Sequence, residues 1–208
     1  MLSGMARWEP DARGRLERAA MELYRERGYD QTTVAEIAAR AGLTERTFFR
    51  HFADKREVLF WGAAGLRQLI TDGIAGAPPD AAPLDAVAAA LEATAPVFDQ
   101  RRAFARQRQA LIAAHPELQE REVMKLTLLA GAAAEALRAR GVGEPAATLA
   151  AEAGMAIFKV AFEGWLRDEK GRGLPHHLRA ALGELGSVVG RGRPAPAGAR
   201  RAARRGRE

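Results

Sequence analysis

Residues 33–51 read TVAEIAARAGLTERTFFRH, and this stretch decides the fold. Thr33 followed three residues later by Glu36 has the spacing of a capping box: the hydroxyl accepts from the third helical amide and the carboxylate reaches back. A short helix is therefore expected from Val34 to about Ala41. Gly42 breaks it, and Thr44 caps a second short helix to about His51. Val34, Ile37, Ala38, Leu43 and Phe48 can face one core, with small Ala38 where the helices cross. Glu45, Arg46, Thr47 and Arg50 are left to face outward. Arg46 and Arg50 are four residues apart, so both can enter one groove of a duplex. Spacing alone admits two readings, a helix-turn-helix that reads DNA and a helical hairpin with solvated charges.

The same helical period extends in both directions, and no long run alternates with period two, so the chain reads as all-α. Upstream, Leu16, Ala19, Ala20 and Leu23 form one stripe that Gly28 ends. Downstream, Asp54 is expected to cap a helix from Lys55 to about Thr71, and Gly76–Asp80 is a loop. Further helices are expected at Leu84–Thr94, Pro96–Ala113, Pro116–Arg140 with His115 as its cap, Pro145–Glu169, and Leu174–Val189. Residues 191–208 carry no apolar period and read as a basic disordered tail.

Composition excludes several classes of function. The 208 residues include no Cys, which removes disulfide frameworks and Cys-ligated metal sites. Ser3 and Ser187 lie in no nucleophile elbow, and no phosphate-cradling Gly-rich loop is present. No stretch approaches a membrane span, and no apolar leader opens the chain, so a cytoplasmic protein without membrane association is expected. The net charge is +6, but residues 1–60 hold eleven basic and ten acidic groups and residues 61–190 hold 14 and 15. The excess lies in residues 191–208, with seven Arg and Glu208. Bulk charge therefore says little about the folded body.

Residues 15–60 resemble the N-terminal domain of the tetracycline-repressor (TetR/AcrR) family of transcriptional regulators. The elements that carry the resemblance are Gly28-Tyr29, Thr32-Thr33-Val34, Ile37-Ala38, Ala41-Gly42-Leu43, Thr47-Phe48-Phe49, His51-Phe52 and Lys55. The resemblance implies an N-terminal three-helix DNA-binding domain (residues 10–57), then a helical effector-binding and dimerisation domain (58–190), with 191–208 as the tail. It places Thr33, His51 and Lys55 at phosphate contacts. Ala35 falls where a longer side chain could reach a base. Thr44 opens the recognition helix, and Glu45, Arg46 and Thr47, with Arg50 a turn on, are its base-reading candidates. Glu45 would repel phosphates unless it accepts from a cytosine amino group or pairs with Arg46; a first-turn helix-dipole role is the alternative. Phe49 replaces the family's usual Tyr, which removes a hydroxyl and leaves only packing.

The resemblance also implies a homodimer built on the last two helices, and the apolar residues of Ala146–Leu166 go nearly all round the helix. Ala150, Gly154, Ala161 and Gly164 would let a second chain approach. Trp61, Phe98, Phe104, Met124, Leu128 and Phe158 are the candidate walls of an effector pocket, for a small apolar or amphipathic molecule. The four His suggest no metal site, His176 and His177 reading as an exposed pair, and neither a catalytic residue nor a cofactor is expected. Arg191-Gly192-Arg193-Pro194 matches the core of a minor-groove AT-hook, beside the readings of a general electrostatic arm and a solvated end. The function expected is that of a ligand-responsive regulator, a repressor that releases a pseudo-palindromic operator. The alternatives are a nucleoid-type DNA-binding protein driven by the tail and an all-helical enzyme.

Overall fold

The computed structural model describes residues 11–190, and the tail, with the Arg191–Pro194 run that matches an AT-hook core, lies outside them. The described residues form helices and turns without a strand. The first three helices are α1 (Ala12–Arg27), α2 (Val34–Arg40) and α3 (Glu45–His51). The capping box at Thr33 forms as its spacing requires: Thr33 Oγ1 accepts from the Glu36 amide at 3.2 Å, and the Thr33 amide donates to Glu36 at 2.9 Å. Gly42 turns the chain with φ +66, a conformation open to it because it has no Cβ. Leu16, Leu23, Ile37, Ala38 and Phe48 are buried together and fix how α1, α2 and α3 cross.

The helix expected from Lys55 to Thr71 is interrupted. Asp54 accepts from the amides of Arg56 and Glu57, but only a 3-10 turn follows (Glu57–Leu59), and α4 begins at Ala63 (Ala63–Ala75). Val58, Leu59 and Phe60 are all buried, and three consecutive residues cannot share one face of an α-helix. The helix expected over Pro96–Ala113 also divides. α5 (Pro83–Ala93) is followed by the short α6 (Ala95–Asp99), and α7 (Arg102–Ala114) starts afresh. At the break, Arg101 leaves helical geometry and pairs with Glu17 of α1 at 2.6 Å.

The chain ends in α8 (Pro116–Ala139), α9 (Ala146–Arg167) and α10 (Leu174–Gly190). With α4 and α5 they enclose an Ala-rich second core. The small side chains allow close approach: a Cβ on Gly154 would lie 2.3 Å from Val87 Cγ1. Gly154, Ala150 and Ala161 therefore admit neighbouring helices of the same chain, contrary to their expected place at a second chain. Gly164 faces His177 of α10 in the same way, which turns that His inward and leaves His176 exposed. The outward apolar residues of α9 are Leu149 and Val160, each 64% exposed. Arg140 clamps α8 to the end of α4 by donating to the carbonyls of Ile74, Ala77 and Pro78. No helix among the described residues is long and apolar enough to cross a membrane.

The two cores meet closer than the expected 57/58 boundary implies. Val58, Leu59, Phe60, Ile112 and Leu118 belong to the N-terminal core. Polar links add to this: Gln107 donates to the Met21 carbonyl at 2.6 Å, and Arg121 holds Glu57 at 2.7 Å.

Candidate nucleic-acid interface and effector cavity

Thr44 positions α3 by accepting from the Thr47 amide at 3.2 Å, and its hydroxyl also lies 3.1 Å from that of Thr47. The inner face of α3 is closed by Phe48, which is fully buried. Glu45, Arg46 and Arg50 are exposed on the outer face, and the two Arg enter no ion pair among the described residues. Phe49 is 55% exposed, edge-on to Phe48 at 5.5 Å. The packing left to it is on the outer face, where Arg46, Thr47, Phe49 and Arg50 line a shallow groove.

The other expected contacts are placed differently from one another. Thr33 is exposed beside α3's partner helix with its hydroxyl engaged by Glu36. His51 Nε2 is shut off from solvent with no hydrogen-bond partner among the described residues. Burial, then the charges of Arg50 and Arg13, lower its pKa and favour the neutral ring. Lys55 turns inward: its ammonium donates to the carbonyls of Tyr29 (2.8 Å), Thr32 (3.0 Å) and Asp30 (3.3 Å) and sits over the Tyr29 ring. Its three N–H groups thus all have protein acceptors, which leaves none for a phosphate.

A cavity of about 140 Å³ lies between the 3-10 turn, α4, α6, α7, α8 and α9. Trp61, Phe98, Phe104 and Phe158 line it as the sequence suggested, together with Phe60 and Phe162. Met124 and Leu128 do not. They lie on the outer face of α8 at 61% and 64% exposure, because α8 turns Lys125 and Leu129 inward instead.

The polar wall of the cavity was not apparent in the sequence. Arg108 of α7 and Lys125 of α8 both bind the Glu122 carboxylate, each at 2.6 Å. Burial would raise Glu122, but the Arg108 and Lys125 charges outweigh it and its pKa falls. Burial and the Arg108 charge bring Lys125 down to about 8. The Arg108 Nε donates to the Leu59 carbonyl at 2.7 Å, and the Phe60 ring lies 4.9 Å from both the Arg108 and Arg121 guanidinium carbons. The only sequence signal was an ordinary i, i+3 charge pair, Glu122 and Lys125.

His115 makes no capping hydrogen bond at α8. Its ring packs on Tyr29 at 4.8 Å, and with Asp30 and Glu117 it forms a group whose ligand atoms lie within 4.8 Å of one another. Asp30 is exposed, and the group sits at a helix N-terminus whose dipole opposes a cation.

Comparison with known proteins agrees with this architecture. Residues 17–60 match the family model for bacterial regulatory proteins of the tetR family, and residues 81–190 match that for the MftR C-terminal domain. A protein named as a mycofactocin biosynthesis transcriptional regulator, MftR of Mycobacterium tuberculosis, is 30% identical over 180 residues, 83% of this chain and 86% of that protein. The HTH-type transcriptional regulator TcmR of Streptomyces glaucescens is 37% identical over 81 residues, 39% of this chain and only 36% of TcmR. Among solved structures, Thermus thermophilus FadR, a repressor in complex with lauroyl-CoA, has a TM-score of 0.52 at 25% identity, covering 89% of this chain and 100% of that one. A regulator from Syntrophomonas wolfei reaches 0.61 at 17% identity over 86% and 95%, a likeness of fold alone.

Proposed function

The chain belongs to the TetR family of bacterial regulatory proteins, ligand-responsive DNA-binding repressors that act as homodimers, and we propose that it reads a pseudo-palindromic operator with α3 and leaves it when an effector fills the cavity. Residues 10–57 do the reading and residues 58–190 the sensing and pairing. Arg46 and Arg50 reach base edges, with Glu45 and Thr47 beside them. Thr33 and Thr44 face the sugar–phosphate backbone and His51 offers it only its Nδ1 edge, while Lys55 positions α2 and α3 by holding the Tyr29–Thr32 turn. Two copies pair through Leu149 and Val160 of α9 together with α10, and the tail adds sequence-independent attraction.

The observation that carries this reading is a short helix with one face locked in a core and two Arg on the other without ion-pair partners among the described residues. The effector is a small apolar or amphipathic molecule, in keeping with the aromatic lining of the cavity. The FadR relative holds an acyl thioester, itself amphipathic. On this reading the chain works in the cytoplasm and acts by binding, as the transcriptional regulators it matches do. Selection of bound fragments from a random DNA pool, followed by footprinting, tests the reading. A discrete palindrome protected by two copies is expected; uniform binding to all sequences would refute it.

A further inference from the structure

The charges that face the cavity do not balance. Arg101 is paired with Glu17, but Arg108 and Lys125 share one carboxylate, that of Glu122. The side chains of Arg108, Lys125 and Glu122 are only 12%, 11% and 18% exposed, so one cationic charge in excess is held away from water. Such a charge is costly unless an anion joins it. Donors are spare: Lys125 uses one of its three N–H groups, on Glu122, and Arg108 Nη1 has no acceptor among the described residues. The remaining wall is aromatic.

We propose that the effector is a small amphipathic acid whose carboxylate sits against Lys125 and Arg108 and whose apolar body lies among Trp61, Phe98, Phe158 and Phe162. This rests on the cavity being the effector site, as proposed above. The carboxylate supplies the missing charge and competes with Glu122 for the same two cations. A cavity of about 140 Å³ is near the size that accepts a benzene ring, so the body is a single ring or a short chain. A large polar head group in place of the carboxylate would have to sit outside, away from Lys125.

The test is calorimetric titration of the full chain with 3-phenylpropanoate, its neutral amide and its coenzyme A thioester. The acid is expected to bind about tenfold or more tightly than either, the usual range for a buried hydrogen bond to a charged group. Lys125→Met should remove most of that preference, weakening the acid far more than the amide. Glu122→Gln, which removes the resident competitor, should tighten the acid several-fold. Equal binding of acid and amide to the unmutated chain would overturn the charge argument and leave the cavity reading standing. A preference that survives undiminished in Lys125→Met, or a thioester that outbinds the acid, would overturn it too. If none of the three binds, both readings fall.

Discussion

Replacing Lys125 by Met should make the protein more stable while removing the charge on which acid recognition depends. The side chain lines the cavity at 9% exposure, and burial, then the Arg108 charge, lower its pKa from 10.5 to about 8 even with Glu122 at 2.6 Å. Glu122 keeps Arg108 as a partner in the variant, so no carboxylate is left alone. One pH unit is worth about 1.4 kcal/mol, so the cost of carrying the folded ammonium at pH 7 is about 3 kcal/mol. Met fills nearly the same space without charge. In a chain of this size each kcal/mol moves Tm by roughly 2–4 °C, so a rise of roughly 6–12 °C is expected at pH 7. The pH dependence gives the sharper check. Between pH 8 and 10.5 the unfolded chain holds a proton that folded Lys125 has released. The unmutated protein therefore gains stability from this group as pH rises through that window and loses it as pH falls through 8. The advantage of Lys125→Met should shrink toward zero by about pH 10.5. Thermal melts of both proteins at matched concentration, from pH 7 to 10.5, measure it. A lower Tm for the variant at pH 7, or a gain that does not change with pH, would refute the reasoning.

Arg46→Ala should weaken operator binding by about 1–3 kcal/mol and random-sequence binding much less, if Arg46 grips a guanine edge; equal losses in gel-shift titrations would reassign it to phosphate. Val160→Glu places a charge on the exposed apolar face of α9 and should give a folded monomer by sedimentation, whereas Ala161→Glu, at a buried position, should disrupt the fold itself. Deleting residues 191–208 removes seven Arg and should flatten the salt dependence of binding, each lost phosphate contact changing the log–log slope by about 0.9, with the footprint unchanged. An unaltered slope would make the tail a bystander.

The helix-turn-helix was legible because its determinants are local. A Thr with Glu three residues on, a Gly at the turn and a second Thr cap fix α2 and α3 wherever they sit in a chain. The breaks at Phe60–Gly62 and at Arg101 were not, since they depend on three-dimensional packing. Residues 55–71 keep a helical composition throughout; only the N-terminal core, by burying Val58, Leu59 and Phe60 together, rules out one continuous helix. For the same reason the inward turn of Lys55, placed at a phosphate contact by the resemblance, was not legible. Its three carbonyl acceptors lie 23 to 26 residues earlier, in a turn whose geometry no pattern gives. Periodicity also showed that α9 is apolar on two sides but not which side its own chain covers, and the small residues proved to face inward.

The polar wall of the cavity suggests why binding there would be felt at α3. Arg108 bonds at once to Glu122, inside the cavity, and to the Leu59 carbonyl, in the 3-10 turn that follows the recognition helix by five residues. Arg121 grips the other end of that turn through Glu57, and the Phe60 ring packs against both guanidinium groups. On the proposed reading, a ligand carboxylate that draws Arg108 away from Glu122 acts on a side chain that also holds this turn. Allosteric coupling of about 1–3 kcal/mol changes affinity by roughly 5–150-fold. One hydrogen bond to a charged group is worth about 1.5–3 kcal/mol. Exchange of a single bond at Arg108 is thus of sufficient size to bias the operator-bound and free arrangements, with no unfolding of either core. The inward-turned Lys55 ties the same linker back to the Tyr29–Thr32 turn ahead of α2, so a shift of the 3-10 turn would carry α2 and α3 together and change their spacing from the partner copy without distorting the helices themselves.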